Sequence, residues 1–245
     1  MAAIAFKPAG SLHVLGRCAF LEGASAEAVA IIAASARWIR VAPGEMVVDF
    51  DDASCNVFFV LQGSVRVMVR TADGERTQIL GDCAAGEMVG EMAAIDGASR
   101  SARIEALVLT QLCAVPSLVF LDAVLSCSRL ALRLMGILTS RIRLQNRRLL
   151  EHTALTVRMR LAAEILRLSR SRPDGTRTLS PPPTQDELAE RVGARRETVS
   201  RELSVLTQTG LLRRTRGAFV VDDPVSLQAM AERSLDMAAH SPGHH

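Results

Sequence analysis

Hydrophobic and polar positions follow two different rhythms along this chain. Up to Val115 they alternate in short bursts, as where Val65, Val67 and Val69 alternate with Arg66, Met68 and Arg70, the pattern of a half-buried strand. Such β-type runs are expected at Glu45–Phe50, Val57–Leu61, Ser64–Arg70, Thr77–Leu80, Ala102–Glu105 and Thr110–Val115. The turn signals Pro43-Gly44, Asp51-Asp52, Gln62-Gly63, Asp73-Gly74 and Gly81-Asp82 separate them. A helix is expected before them, from Ser25 as N-cap to about Ala36, with Val29, Ile32 and Ala33 on one face. Many short antiparallel strands so spaced predict a closed sandwich or jelly roll, whose interior can hold one small ligand.

Beyond Ser128 the rhythm lengthens. No Pro interrupts the stretch from about Arg129 to Ser169, and Gly136 is its only Gly, so a single long helix is expected there. Met135, Leu138, Ile142, Gln145, Leu149, His152 and Thr156 step alternately by three and four, the spacing of a coiled-coil seam. Arg141, Arg143, Arg147, Arg148 and Glu151 flank it. The pattern predicts a parallel homodimer. Gln145 interrupts the apolar seam with Asn146 beside it, and a buried amide there can fix register. His152 reads as a satisfied polar residue of the same seam, with a proton switch or a haem ligand as the alternatives.

The last third changes again. Arg172-Pro-Asp-Gly175 is a turn and Pro181-Pro182-Pro183 stops what precedes it. Thr184-Gln-Asp-Glu187 is a capping box opening a helix through Val192. Gly193-Ala194 is a tight turn, and Arg195 to about Thr207 a second helix. With Leu188, Val192, Val199, Leu203 and Leu206 facing inward, the pair makes a helix-turn-helix. Leu211–Arg214 and Ala218–Val221, joined by Thr215-Arg-Gly217, add a hairpin, or wing. The second helix presents a polar N-terminal face, as a helix entering the major groove requires. Pro224 to Met237 follows as an amphipathic helix through Leu227, Met230 and Leu235, with no role assigned.

Composition narrows the class without naming it. Hydrophobic residues make up 49% and charged residues 22% of 245, which is globular rather than disordered. The net charge is only +3, but Arg191 to Val220 holds seven Arg against two Glu. No apolar run approaches the ~20 residues of a membrane span, and no signal peptide is visible. The five cysteines are scattered and never form a CxxC pair, which reads as free thiols in a reducing cytoplasm. No nucleophile–base or metal constellation suggests an enzyme. A cupin-type enzyme on the same roll would need His and Glu ligands, and His13 is the only His before position 152.

One stretch carries distinctive chemistry: Gly90-Glu91 followed by Arg100-Ser101. Arg100 offers a planar fork of donors suited to phosphate oxygens, with the Ser101 hydroxyl beside it. Glu91 can accept from a ribose 2′-OH. Gly86, Gly90 and Gly97 permit tight turns and close backbone approach. Met92 to Ile95 spans one helical turn, whose free N–H groups favour an anion.

This run resembles the phosphate-binding cassette of cyclic-nucleotide-binding domains. With Pro43-Gly44-Glu45 and Leu61-Gln62-Gly63-Ser64-Val65 in order, residues 19–116 resemble the β-roll of the cyclic-AMP receptor protein (CRP/FNR) family. Arg196-Glu197-Thr198-Val199 resembles the core of that family's recognition helix. The resemblance implies an α+β chain: an N-terminal β-roll (jelly-roll-like) sensor over 1–128, a central dimerisation helix over 129–169, and a C-terminal winged helix-turn-helix domain over 170–245. It implies no catalytic residues and no metal. The implied ligand is cyclic AMP or cyclic GMP, bound by Gly90, Glu91, Met92, Arg100 and Ser101, with Gln145 and Asn146 at the purine positions. The family often has Thr-Ser there, so this departure leaves the choice of nucleotide open. The resemblance implies double-stranded DNA as partner at TGTGA-like palindromes, read by Arg196, Glu197 and Arg201, since Arg grips guanine and Glu accepts from cytosine. Arg195, Ser200, Arg213, Arg214 and Arg216 are then expected on phosphates. It also implies RNA polymerase as a further partner and a cytoplasmic location. Two alternatives stand beside this reading: a family member that binds DNA without any nucleotide, and a sensor of another signal on the same fold. The family's iron–sulfur members cluster their ligands near the N-terminus, where only Cys18 lies.

Overall fold

The computed structural model describes residues 4–5, 14–16, 18–71, 74 and 76–239, with the backbone alone described at 4 and 232–239. Asp73 of one expected turn, Lys7, His13, the side chain of Leu235 and His244-His245 lie outside these. The chain forms two compact units, Met1–Ser140 and Arg141–His245.

In chain order the first unit contains β1 (Ile4–Ala5), a 3-10 turn (Ala19–Leu21), α1 (Ala26–Ser35), β2 (Arg37–Val41), β3 (Met46–Val48), β4 (Val57–Gln62), β5 (Ser64–Arg70), β6 (Thr77–Ala84), β7 (Met88–Val89), α2 (Glu91–Asp96), β8 (Arg103–Ala106), β9 (Thr110–Val115) and α3 (Ser117–Leu125). The strands form two antiparallel sheets, β1-β2-β9-β4-β7 and β3-β8-β5-β6. Val41, Val60, Val89 and Leu112 of the first meet Val48, Val65 and Ile104 of the second in one apolar cluster. Strand β4 is buried on both faces: Phe58 and Val60 join that cluster, while Val57 and Phe59 join another on the opposite side. There Phe59 sits among Phe20 and Phe120, ring centroids 5.6 to 6.5 Å apart, with Ile32 of α1 and Trp38.

Ser25 caps α1 as expected, its Oγ accepting from the Ala28 N–H at 3.1 Å. Several features differ from the sequence reading. Strand β2 was not expected, because Arg37 and Arg40 mask its buried Trp38 and Val41. Helix α3 is likewise additional. The turn expected at Gly81-Asp82 is strand: Gly81 pairs with Val67 and Ile79 with Met68, so Leu80 is an extra, bulged residue. Arg66 lies opposite Asp82 and holds it bidentately at 2.8 and 3.1 Å.

Helix α4 (Ser128–Ala154) crosses from the first unit into the second. Its Leu130 and Leu134 are buried in the core of the first unit. The single helix expected through Ser169 is in fact two. Leu155 and Thr156 leave helical geometry, and α5 (Val157–Leu168) starts afresh with Thr156 as N-cap, ψ 162°. No Pro or Gly marks this break. Its signal is the N-cap Thr156, whose hydroxyl accepts from the Met159 N–H.

The second unit continues with β10 (Arg170–Ser171), β11 (Arg177–Leu179), α6 (Gln185–Val192), α7 (Arg196–Gln208), β12 (Leu212–Arg214), β13 (Phe219–Val221) and α8 (Pro224–Ala239). Its sheet order is β10-β11-β13-β12. Leu161, Ile165, Leu188, Val199, Leu206 and Leu227 share its core, so α8 is anchored on α5 through Leu227. The capping box is complete: the Glu187 N–H donates to Thr184 Oγ1 at 3.1 Å and the Thr184 N–H to Glu187 Oε2 at 2.8 Å. Gly193 ends α6 at φ 61°, a left-handed conformation that favours glycine.

Phe59→Ala empties the centre of the aromatic cluster and is expected to cost about 3–5 kcal/mol. Trp38, the only tryptophan, is buried in the same cluster. Its emission during urea unfolding measures the loss directly.

Candidate functional site

In the cassette, Gly90 precedes α2 at φ 84°. Two constraints demand glycine here. The conformation is left-handed, and a Cβ would lie 2.7 Å from Arg100 Nη1 and 3.0 Å from the Asn56 carbonyl oxygen. Arg100 is only 4% exposed. Its Nη1 donates to the Gly90 carbonyl at 2.8 Å and its Nη2 to the Asn56 carbonyl at 2.6 Å. Nε and Nη2 also point at Ser54 Oγ, both at 3.4 Å. The guanidinium lies over the Phe58 ring at 5.7 Å, within cation–π range. The backbone of Arg100 is stitched to the β3–β4 loop, N–H to the Asp52 carbonyl at 3.0 Å and carbonyl to the Asp51 N–H at 3.1 Å. Burial lowers the Arg100 pKa, while Cys55, Asp52 and Glu91 oppose that shift. The result is a fixed cationic fork. Its two long contacts to Ser54 and one uncommitted N–H are the ones an oxyanion would take.

Glu91 is 1% exposed at the first position of α2, and Met92 and Ser101 are exposed beside it. Gly90, Glu91 and Arg100 are therefore brought together within one unit, and Met92 and Ser101 lie next to them in sequence. Gln145 and Asn146 belong to the second unit, where both are exposed on α4. The sequence reading missed Ser54, the Asn56 carbonyl and Phe58, which hold Arg100 from 42 to 46 positions upstream. Backbone acceptors leave no side-chain signal. Cys18 and Cys113 are buried thiols pushed up to about 11 and about 12 by desolvation, so neither is a reactive thiolate near neutral pH.

In the second unit, Gln185, Arg196, Glu197, Ser200, Arg201 and Ser204 line a shallow cleft of about 500 Å³. Residues spaced by four share one helix face, so the polar stripe of α7 forms a continuous surface. Gln185 and Ser204 were not singled out from sequence. Gln185 follows the capping residue Thr184 directly, which was the available signal. Arg196 is exposed and loosely paired with Asp186 at 3.5 Å, and Arg201 with Glu202 at 3.7 Å. Arg195 is exposed at the N-cap of α7, Arg214 stacks over Phe219 at 5.5 Å, and Arg216 is exposed at the hairpin tip. Arg213 differs from its neighbours: Asp222 holds it bidentately at 2.7 and 3.0 Å.

His152 is not a seam residue. It packs against the helix-turn-helix turn, where a Cβ on Gly193 would lie 2.6 Å from His152 Cε1. Arg160 ties the same region together, donating to the Val192 carbonyl at 2.9 Å and the Leu155 carbonyl at 3.0 Å. Burial, then the positive field of Arg160, lowers the His152 pKa, with Arg148 adding and Glu151 opposing. Thr156 leaves the expected seam too, being the N-cap of α5.

Comparison with known proteins agrees with this architecture. Residues 38–127 match the cyclic nucleotide-binding domain family, and residues 159–230 match the Crp-like helix-turn-helix domain. A CRP-like cAMP-activated global transcriptional regulator of Mycobacterium tuberculosis is 22% identical over 222 residues, 89% of this chain and 99% of the relative. A CooA mutant from Carboxydothermus hydrogenoformans shares the fold at TM-score 0.70 and 20% identity, over 81% of this chain and 88% of that one. The c-di-GMP-responsive global regulator CLP of Xanthomonas campestris does so at 0.67 and 24%, over 80% and 99%. Fold and site together define a transcription regulator that joins a cyclic-nucleotide-binding module to a helix-turn-helix. The chain belongs to the CRP/FNR family, whose members are DNA-binding regulators rather than enzymes. Among the described residues no helix is long and apolar enough to cross a membrane.

The folded chain holds His152 below the usual 6.5, so the unfolded chain binds its proton more readily. Stability from this group is complete above pH 6.5 and is lost as pH falls through the folded value. Urea midpoints followed by circular dichroism are expected to fall between pH 7.5 and pH 5.5. His152→Gln removes that part of the slope; an unchanged slope would place the proton elsewhere.

Proposed function

We propose that this chain acts as a homodimeric, cytoplasmic transcription regulator whose DNA affinity is set by cyclic AMP or cyclic GMP. The observation that carries the reading is Arg100. It is nearly buried, oriented by two carbonyls and seated against a glycine that nothing larger can replace. In this reading Arg100 and Ser101 take the cyclic phosphate, Glu91 the ribose hydroxyl, and Gly90 and Met92 border the ligand. Gln145 and Asn146 meet the purine, with amides that can both donate and accept.

Dimerisation through α4 is supported by its exposed apolar stripe. Leu132, Met135, Ile142 and Leu149 are 67%, 54%, 59% and 64% exposed. An unpartnered stripe of that kind marks an interaction surface. We propose a sensor over 1–128, a dimer helix that ends at Ala154 instead of Ser169, and a DNA-binding module beyond it. Arg196, Glu197 and Arg201 would read bases, while Arg195, Ser200, Arg214 and Arg216 would hold phosphates. Two such helices about one helical turn (~34 Å) apart fit TGTGA-like palindromes. Arg213, committed to Asp222, is the weakest phosphate candidate of the group. RNA polymerase is the expected downstream partner.

The same site gives the nucleotide-independent reading its one supporting observation: the protein's own oxygens already occupy most of the Arg100 fork. Fluorescence anisotropy of a labelled TGTGA-palindrome duplex separates the two. With nucleotide-stripped protein, one cyclic nucleotide is expected to tighten binding at least about fivefold, a coupling typical of allosteric sites. Equal, tight binding with and without either nucleotide would favour the constitutive reading.

Arg100→Ala is expected to abolish that tightening with the fold intact, and retained nucleotide affinity would sink the phosphate assignment. Glu197→Ala is expected to relax base preference at one half-site position by about 1–3 kcal/mol, read from a binding-site selection profile.

A further inference from the structure

A cavity of about 580 Å³ lies within the second unit, walled by the last turns of α4, by α5, by β11 and by α8. It shares no residue with the cassette or with the polar face of α7. Its polar lining includes Arg147, Arg167 and Arg177 against the single carboxylate of Glu151, and its apolar lining includes Leu155, Leu166 and Ala231. Such a volume is typical of small-molecule sites.

We propose that this cavity binds a small organic anion, an acidic head joined to an apolar body, with α8 closing one side of the site. Two of the arginines are held in place. Arg167 donates to Glu151 Oε1 at 2.7 Å and, through Nη1, to Glu164. Arg177 donates to Ser169 Oγ at 2.8 Å, Ser171 Oγ at 2.9 Å, and the Leu166 and Ser169 carbonyls at 3.2 and 2.7 Å. Each keeps an N–H outside these bonds, Nε of Arg167 and one on Nη1 of Arg177. Forks already fixed by the fold give up little further rotamer freedom when a ligand arrives. Arg147 is exposed and makes no hydrogen bond or ion pair among the described residues. Even after Glu151 and the Glu164 carboxylate that Arg167 also meets are counted, the three arginines leave a positive excess, which favours an anionic head group. The apolar lining favours a ligand with a hydrocarbon or ring body over a bare inorganic ion.

Position gives the site its consequence. Leu155 is the joint between α4 and α5, and Pro224, Gln228 and Ala231 belong to α8. An occupant therefore bridges α8 to the end of the helix that carries the proposed dimer stripe. This inference stands independently of the cyclic-nucleotide reading, because it uses none of the cassette residues.

The test is isothermal titration of the full-length protein with octanoate, octyl phosphate, octanol and inorganic phosphate. Saturable binding of octanoate or octyl phosphate is expected, with octanol and inorganic phosphate failing; which acid binds tells carboxylate from phosphate. Arg147→Ala, at an exposed position, is expected to weaken binding about tenfold, the loss of one charge-assisted hydrogen bond. Ala231→Trp fills the cavity and is expected to abolish it. Failure of both acids overturns the proposal. So does affinity unchanged by Arg147→Ala, which would put the ligand elsewhere, and so does inorganic phosphate binding as tightly as the acids.

Discussion

Helix α4 is held by two interiors of opposite character, and the rest of the chain is arranged around that constraint. Its first turns bury Leu130 and Leu134 among aromatic and aliphatic side chains. Its last turns bury Arg148 and Glu151, both 7% exposed. Charges are tolerated there only because they are compensated. Arg167 bridges Glu151 and Glu164, Glu164 faces Arg191 of α6 at 3.5 Å, and Arg148 sits in the field of all four. Buried pairs of this kind add little net stability, yet removing one partner strands the other at about 3–5 kcal/mol. The cluster therefore fixes orientation more than it adds cohesion. The end of α4, the start of the DNA-binding module and the turn at Gly193 form one body on which His152 and Arg160 also close.

The sensor unit solves a different problem, which is to keep an arginine buried, charged and directional. Its answer is to make the close hydrogen bonds of the guanidinium with carbonyl dipoles, within the field of the Asp52 and Glu91 carboxylates. Gly90 O and Asn56 O satisfy the donors without cancelling the charge. A carboxylate in place of these two carbonyls would compete with a phosphate on equal terms, whereas neutral oxygens at hydrogen-bond distance leave more of the positive charge available. Gly90 is the position where this depends on a single missing Cβ.

The legible parts of the sequence were those whose signal lies in side chains at fixed spacing. Thr184 and Glu187 announced a capping box that forms as written. Ser25 announced α1, and the alternation of Val65, Val67 and Val69 announced β5. The juxtaposition of Gly90 with Arg100 was expected from the residue types together with the resemblance to a phosphate-binding cassette. What escaped was set by groups that composition does not display. The carbonyls around Arg100 belong to residues whose side chains say nothing about them. The end of α4 at Ala154 rests on Thr156 turning its hydroxyl to Met159, a choice that a heptad count overlooks. Strand β2 hid behind two arginines that face outward, and the bulge at Leu80 concealed the continuation of β6.

Asp186 has a further consequence for the proposed DNA interface. It stands 3.5 Å from Arg196 on a neighbouring helix and presents two anionic oxygens, as a DNA phosphate does. Until a duplex arrives, the arginine has this internal stand-in. Random DNA offers a similar anion and little else, so the exchange there is close to even. A guanine presenting O6 and N7 offers geometry that the carboxylate lacks. Opening this exposed pair would subtract the same small free energy, at most about 1 kcal/mol, from correct and random sites alike, so the base contact itself would have to carry the discrimination.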